Sequence, residues 1–114
     1  MHEISIVQGL FVQLEELAKD NGASRIISVT VEIGPLSGVV VDSFQFGFDI
    51  LAAEHPMLKE AKLILRIPPV RYTCTSCGKV FEDVSRPGQC AQCGELLLVP
   101  QGGDDLILNQ VEME

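Results

Sequence analysis

The chain predicts an α+β fold, with two helices packed on a small, mostly antiparallel sheet and an inserted zinc-ribbon subdomain. Three observations carry this. Apolar residues recur at helical spacing in two segments. Apolar and polar residues alternate in others. All four cysteines fall into two matched pairs, Cys74-Thr75-Ser76-Cys77-Gly78 and Cys90-Ala91-Gln92-Cys93-Gly94.

The first helix is expected from Ser5 to Asn21. Ile4, Val7, Leu10, Phe11, Leu14, Leu17 and Ala18 form one apolar stripe. Ser5 with Gln8 makes a capping-box pattern, and Asn21-Gly22 is a stop. Arg25 to Gly34 is expected as a strand, with Ile27, Val29, Val31 and Ile33 buried and Ser28, Thr30 and Glu32 wet. Gly34-Pro35-Leu36-Ser37-Gly38 is a turn-rich connector. The second helix is expected from Asp42 to Ala53, with Asp42 and Gln45 as a second capping box and His55-Pro56 ending it.

Lys62 to Ile67 reads as a strand closed by Pro68-Pro69, and Leu106 to Met113 as a last strand, with Gly102-Gly103 as a hinge before it. A lone strand needs a sheet, so the last segment is expected to return to the first module. The domain boundaries that follow are 1–69 plus 102–114 for an α/β module and 70–101 for the zinc ribbon.

Four thiolates on a short hairpin form a tetrahedral soft-ligand cage, which suits structural Zn(II) at Cys74, Cys77, Cys90 and Cys93. A rubredoxin-like iron uses the same ligands. Two disulfides would need an oxidising compartment, and four cysteines close the shell that a catalytic zinc leaves open. The net charge of −8 repels phosphate backbones, and the eight Lys and Arg form no basic stripe. Nucleic acid is therefore not an expected partner. No apolar run approaches the ~20 residues of a membrane span, and the N-terminus carries no secretory pattern, so a cytoplasmic location is expected.

At the N-terminus, His2 lies beside the α-amine of Met1. The amine, the backbone nitrogens of His2 and Glu3, and the His2 imidazole sit within a few bonds. That is a tetragonal nitrogen set, which suits Ni(II) or Cu(II) more than zinc, with Glu3 beside it to supply an oxygen or tune the charge. A histidine at position 2 is otherwise a solvated terminal residue. His55 reads as structural or solvated. No Cys–His nucleophile pair and no phosphate loop is present, so an enzyme is not expected.

Three motifs together resemble one family. Met1-His2-Glu3-Ile4-Ser5-Ile6 resembles the opening signature of the HypA/HybF family. Glu32-Ile33-Gly34-Pro35-Leu36-Ser37-Gly38-Val39 is similar to its Glu-Ile-Gly-x-Leu-Ser-Gly-Val segment, and the late Cys-x-x-Cys-Gly pairs match too. The resemblance implies a nickel metallochaperone for nickel–iron hydrogenase, in some organisms also serving urease. It implies nickel at His2 of the Met1-His2-Glu3 motif, with Glu3 beside it, and zinc on the four cysteines. It also implies a HypB-type GTPase and the hydrogenase large-subunit precursor as partners. Some members carry histidines near the zinc cysteines; residues 70–101 here contain none. A zinc-ribbon adaptor that binds only proteins and an iron electron-transfer protein are the alternative readings.

Overall fold

The structure, a computed structural model, describes residues 3–114. Its element order is α1 (Glu3–Asp20), β1 (Ile26–Ile33), α2 (Val41–Ala53), β2 (Lys62–Arg66), β3 (Val70–Cys74), β4 (Val80–Asp83), β5 (Leu98–Gln101) and β6 (Leu106–Met113). The strands form two three-stranded sheets, β2-β1-β6 and β4-β3-β5. Two helices, small antiparallel-rich sheets and a ribbon holding four cysteines are the expected fold class.

The chain divides into two compact units. The first comprises Met1–Val31, Val39–Leu65 and Leu108–Glu114; the second comprises Glu32–Gly38 and Arg66–Ile107.

In the first unit, α1 buries Val7, Leu10, Phe11, Leu14 and Ala18, while α2 buries Phe44, Gly47, Phe48 and Ala52. The Phe11 and Phe48 rings meet edge to face at 5.4 Å, a favoured aromatic geometry. Gly47 lets the helices approach, since a Cβ there would stand 2.9 Å from Ile4 Cδ1. β6 returns to pair with β1, as the need for a sheet required. The pairing is antiparallel: Arg25 and Glu114 exchange backbone hydrogen bonds of 3.0 and 2.9 Å at one end.

Both expected capping boxes fail. α1 begins at Glu3, so Ser5 lies inside its first turns. α2 begins at Val41 with Val40 as its N-cap and no side-chain cap bond. Instead the Val40 N–H donates to Glu3 Oε2 at 3.2 Å, and Gln45 bonds Asp49 at 3.0 Å. A tertiary acceptor thus replaces the local one.

The alternation expected in β1 fails as well. Ser28 and Thr30 are buried, whereas Ile27 is 39% exposed. β1 is the central strand, with β2 and β6 along its two edges, and its burial runs through both side-chain parities from Ser28 to Val31. Ser28 tolerates burial because its hydroxyl donates to Glu112 at 2.8 Å.

The second unit is a sheet centred on β3. Tyr72 lies opposite Phe81 on β4 and Pro100 on β5, and Cys74 lies opposite Leu98. Val70, Tyr72 and Cys74 occupy its buried face. Segment 32–38 groups with this unit, although the sequence boundaries assign it and 102–107 to the α/β module. Hydrogen bonds supply the reason: Gly34 N–H donates to Asp105 O at 2.8 Å, and Leu36 N–H to Gly103 O at 2.7 Å. Nor is Gly102-Gly103 a hinge. A Cβ on Gly34 would collide with the Gly103 carbonyl, and one on Gly103 with Val70. The glycines permit a close backbone crossing, and Gly103 also has a φ of +83°.

Candidate metal centre

The first cysteine pair follows β3 directly. Cys74 ends the strand, and the chain then turns back into β4. The Gly78 N–H donates to Cys74 O (3.1 Å) and the Cys74 N–H to Lys79 O (2.9 Å). The second pair repeats this: Gly94 N–H to Cys90 O (2.8 Å), Cys90 N–H to Glu95 O (2.8 Å). Gly78 and Gly94 close the turns with φ of +75° and +79°, which is where Gly carries little steric cost.

The turns bring all four Sγ atoms within 4.8 Å of one another. Cys74 and Cys93 are 3.5 Å apart, and Cys77 and Cys90 are 3.7 Å apart. A tetrahedron with metal–sulfur bonds of ~2.3 Å has edges of about 3.8 Å. The spacing therefore fits coordination by a single ion, and all four cysteines are free thiols. Cys74 and Cys90 are buried, whereas Cys77 and Cys93 face solvent.

Contacts that spacing did not reveal lock the two turns together. The Ser76 hydroxyl donates to Glu95 Oε2 at 2.8 Å, and Glu95 Oε1 accepts the Leu97 N–H at 3.2 Å. The Ser76 hydroxyl, then the Leu97 amide, hold the Glu95 carboxyl below its ordinary range. Thr75 Oγ1 donates to Leu97 O at 2.8 Å. A carboxylate two residues past Cys-x-x-Cys is the signal that could have suggested this clamp.

The thiols are electrostatically unequal. The Cys77 backbone N–H is the main influence holding Cys74 well below an ordinary thiol, at about 6. The backbone N–H groups of Cys93 and then Gln92 lower Cys90. At Cys93 the Glu95 N–H also lowers the value, but Cys74, burial, Cys77 and Cys90 together outweigh it and push the thiol up to about 12. Backbone dipoles thus prepare part of the thiolate set before a metal arrives.

Of the N-terminal candidates, Met1 and His2 lie outside the described residues. Glu3 opens α1 and accepts the Val40 N–H. His55 is structural: Nδ1 accepts the Met57 N–H at 3.2 Å, Nε2 meets Glu15 at 3.0 Å, and the ring packs on Phe11.

Fold and centre together define a small α+β metal-binding protein whose second unit is a four-cysteine ribbon. The family described as "Hydrogenase/urease nickel incorporation, metallochaperone, hypA" matches residues 1–113. The "Hydrogenase maturation factor HypA" of Caldanaerobacter subterraneus subsp. tengcongensis is 36% identical over the whole of both chains, and that of Geobacter metallireducens 37%, again over both whole chains. The solution structure of the Ni metallochaperone HypA from Helicobacter pylori superposes with a TM-score of 0.68 at 31% identity, covering 99% of this chain and 97% of that one. The chain belongs to the HypA family of nickel metallochaperones, which are maturation factors and not enzymes. No helix among the described residues is long and apolar enough to cross a membrane.

Proposed function

We propose that this protein captures Ni(II) at its N-terminus, through Met1, His2 and Glu3, and hands it on during maturation of nickel–iron hydrogenase. The observation that carries the reading is the family match over residues 1–113 in a chain that opens Met1-His2-Glu3. The chemistry supports it: amine, amide and imidazole nitrogens suit a tetragonal d-block cation. Glu3 Oε2 accepts the Val40 N–H, which ties the start of α1 to the start of α2 beside that terminus.

The four cysteines hold Zn(II) in a structural role on this reading. The metal supplies cross-linking to a unit whose core is small. A HypB-type GTPase and the hydrogenase large-subunit precursor are the partners, and the cytoplasm is the compartment. Functionally, residues 1–69 with 102–114 act as the nickel module and 70–101 as the zinc module.

Native mass spectrometry of tag-free protein and its His2→Ala variant, titrated with nickel, tests this. One zinc and one nickel on the wild type, with zinc alone on the variant, is the expected result. Equal nickel uptake by both overturns the N-terminal site and favours a protein-binding adaptor.

A further inference from the structure

The second unit contains a cleft that the metal centre does not use. Its volume is about 390 Å³, and Leu36, Tyr72, Arg86, Pro87, Leu96 and Leu98 line it, with Pro100 at the edge. Leu36, Leu96 and Leu98 supply its aliphatic part, and Leu96 is 74% exposed. Two polar residues stand beside these leucines.

The first is Tyr72. The residue is 3% exposed, and its hydroxyl is the buried side-chain polar atom left without a hydrogen-bond partner among the described residues. Register explains its position. Tyr72 stands mid-strand in β3, stacked on Phe81 at 5.8 Å and opposite Pro100. Its register neighbours Phe81 and Pro100 carry no side-chain acceptor for the hydroxyl. A buried hydroxyl without a partner costs about 1–3 kcal/mol, and phenylalanine would have avoided that cost.

The second is Arg86. It is exposed beside Pro87 on the cleft wall, and no carboxylate pairs with it among the described residues. Yet the chain has sixteen acidic residues against eight basic ones. An unpaired guanidinium beside these leucines presents a fork suited to a carboxylate.

We propose that this cleft binds a partner protein's segment in which an aliphatic side chain adjoins a carboxylate. The aliphatic group sits against Leu36, Leu96 and Leu98. The carboxylate meets Arg86, and a polar atom of the segment satisfies the Tyr72 hydroxyl. The occupant follows from the residues: leucines line part of the slot, its charged member is a cation, and Tyr72 in its lining carries an unsatisfied hydroxyl. This contact is separate from nickel capture and needs neither Met1 nor His2.

Tyr72 is the sole tyrosine and the chain has no tryptophan, so intrinsic fluorescence reports on the cleft alone. The zinc-loaded full chain, without nickel, is titrated with the peptide acetyl-Gly-Leu-Asp-Gly-amide and with its Asn counterpart. Fluorescence and amide NMR shifts are followed together. Saturable shifts at Tyr72 and Leu98 are expected, with the Asp peptide bound about tenfold more tightly. Arg86→Met removes that preference. Tyr72→Phe weakens binding while stability is unchanged or raised, a split that a merely structural hydroxyl would not produce. Absence of saturable shifts, equal binding of the two peptides, or variants that bind like the wild type would each overturn the proposal. The His2→Ala variant binds the Asp peptide normally, which keeps this test distinct from that of nickel capture.

Discussion

Arg25 and Glu114 pair through both backbone and side chain. They exchange two backbone hydrogen bonds, and Arg25 Nη2 also meets Glu114 Oε1. The contact fastens residues 89 positions apart and closes β6 onto β1. The two layers of this contact differ in weight. The ion pair is exposed at 46% and 59%, so Arg25→Ala should cost under about 1 kcal/mol. Removing residues 108–114 strips the central strand of one partner and should abolish cooperative urea unfolding of the first unit. A truncated chain that unfolds like the wild type would contradict this role for β6.

The Gly34–Gly103 crossing predicts opposite outcomes for two alanine substitutions. Gly34→Ala drives a Cβ into the Gly103 carbonyl and should destabilise by about 1–3 kcal/mol. Gly9 lies exposed inside α1 with open space around it. Gly9→Ala should stabilise by roughly 0.5–1 kcal/mol. Chemical denaturation of the two variants, read against the wild type, checks both signs.

The clamp between the cysteine turns can be tested by zinc exchange. Glu95→Gln keeps the shape but weakens the bonds to Ser76 and Leu97. It should speed zinc loss to a chelator several-fold, while stoichiometry stays at one. Cys77→Ser and Cys93→Ser should each lose the zinc and loosen the second unit. Full zinc stoichiometry in either serine variant would remove that residue from the ligand set.

The unequal thiols set a proton count. Cys74 titrates at about 6, below its unfolded value. Its contribution to the metal-free fold is therefore complete above the ordinary thiol range and lost as pH falls through about 6. Cys93 is pushed up to about 12, so it holds its proton at neutral pH and must release it on coordination. Zinc loading at pH 7.5 should accordingly expel protons, with Cys93 a main source. Calorimetry in two buffers of different ionisation enthalpy measures this. A binding heat that is the same in both would mean that no proton leaves.

The N-terminal proposal makes a covalent prediction. A short extension before Met1 turns the α-amine into an amide and should weaken nickel binding at least about tenfold, even with His2 intact, because an amine nitrogen leaves a tetragonal set. Unchanged affinity in the extended chain would exclude the amine as a ligand.

The sequence by itself determined both helices, the strands β1, β2 and β6, and the four-cysteine cluster. Apolar residues recurring three and four positions apart specify a helix, and a two-residue spacer with a following glycine turns each cysteine pair tightly. These are local constraints, written within a few positions of one another. Only the tertiary structure decided the rest. It placed Ser28 and Thr30 inside, with the Ser28 hydroxyl bonded to Glu112 on β6. It replaced the expected caps of α2 with Glu3, a residue 37 positions away from Val40. It turned Gly102-Gly103 from a hinge into a close crossing, and it left the Tyr72 hydroxyl without a hydrogen-bond partner among the described residues. Each of these depends on which distant segment arrives alongside. Burial and hydrogen-bond partners are properties of that encounter, and no window of sequence contains both of its sides.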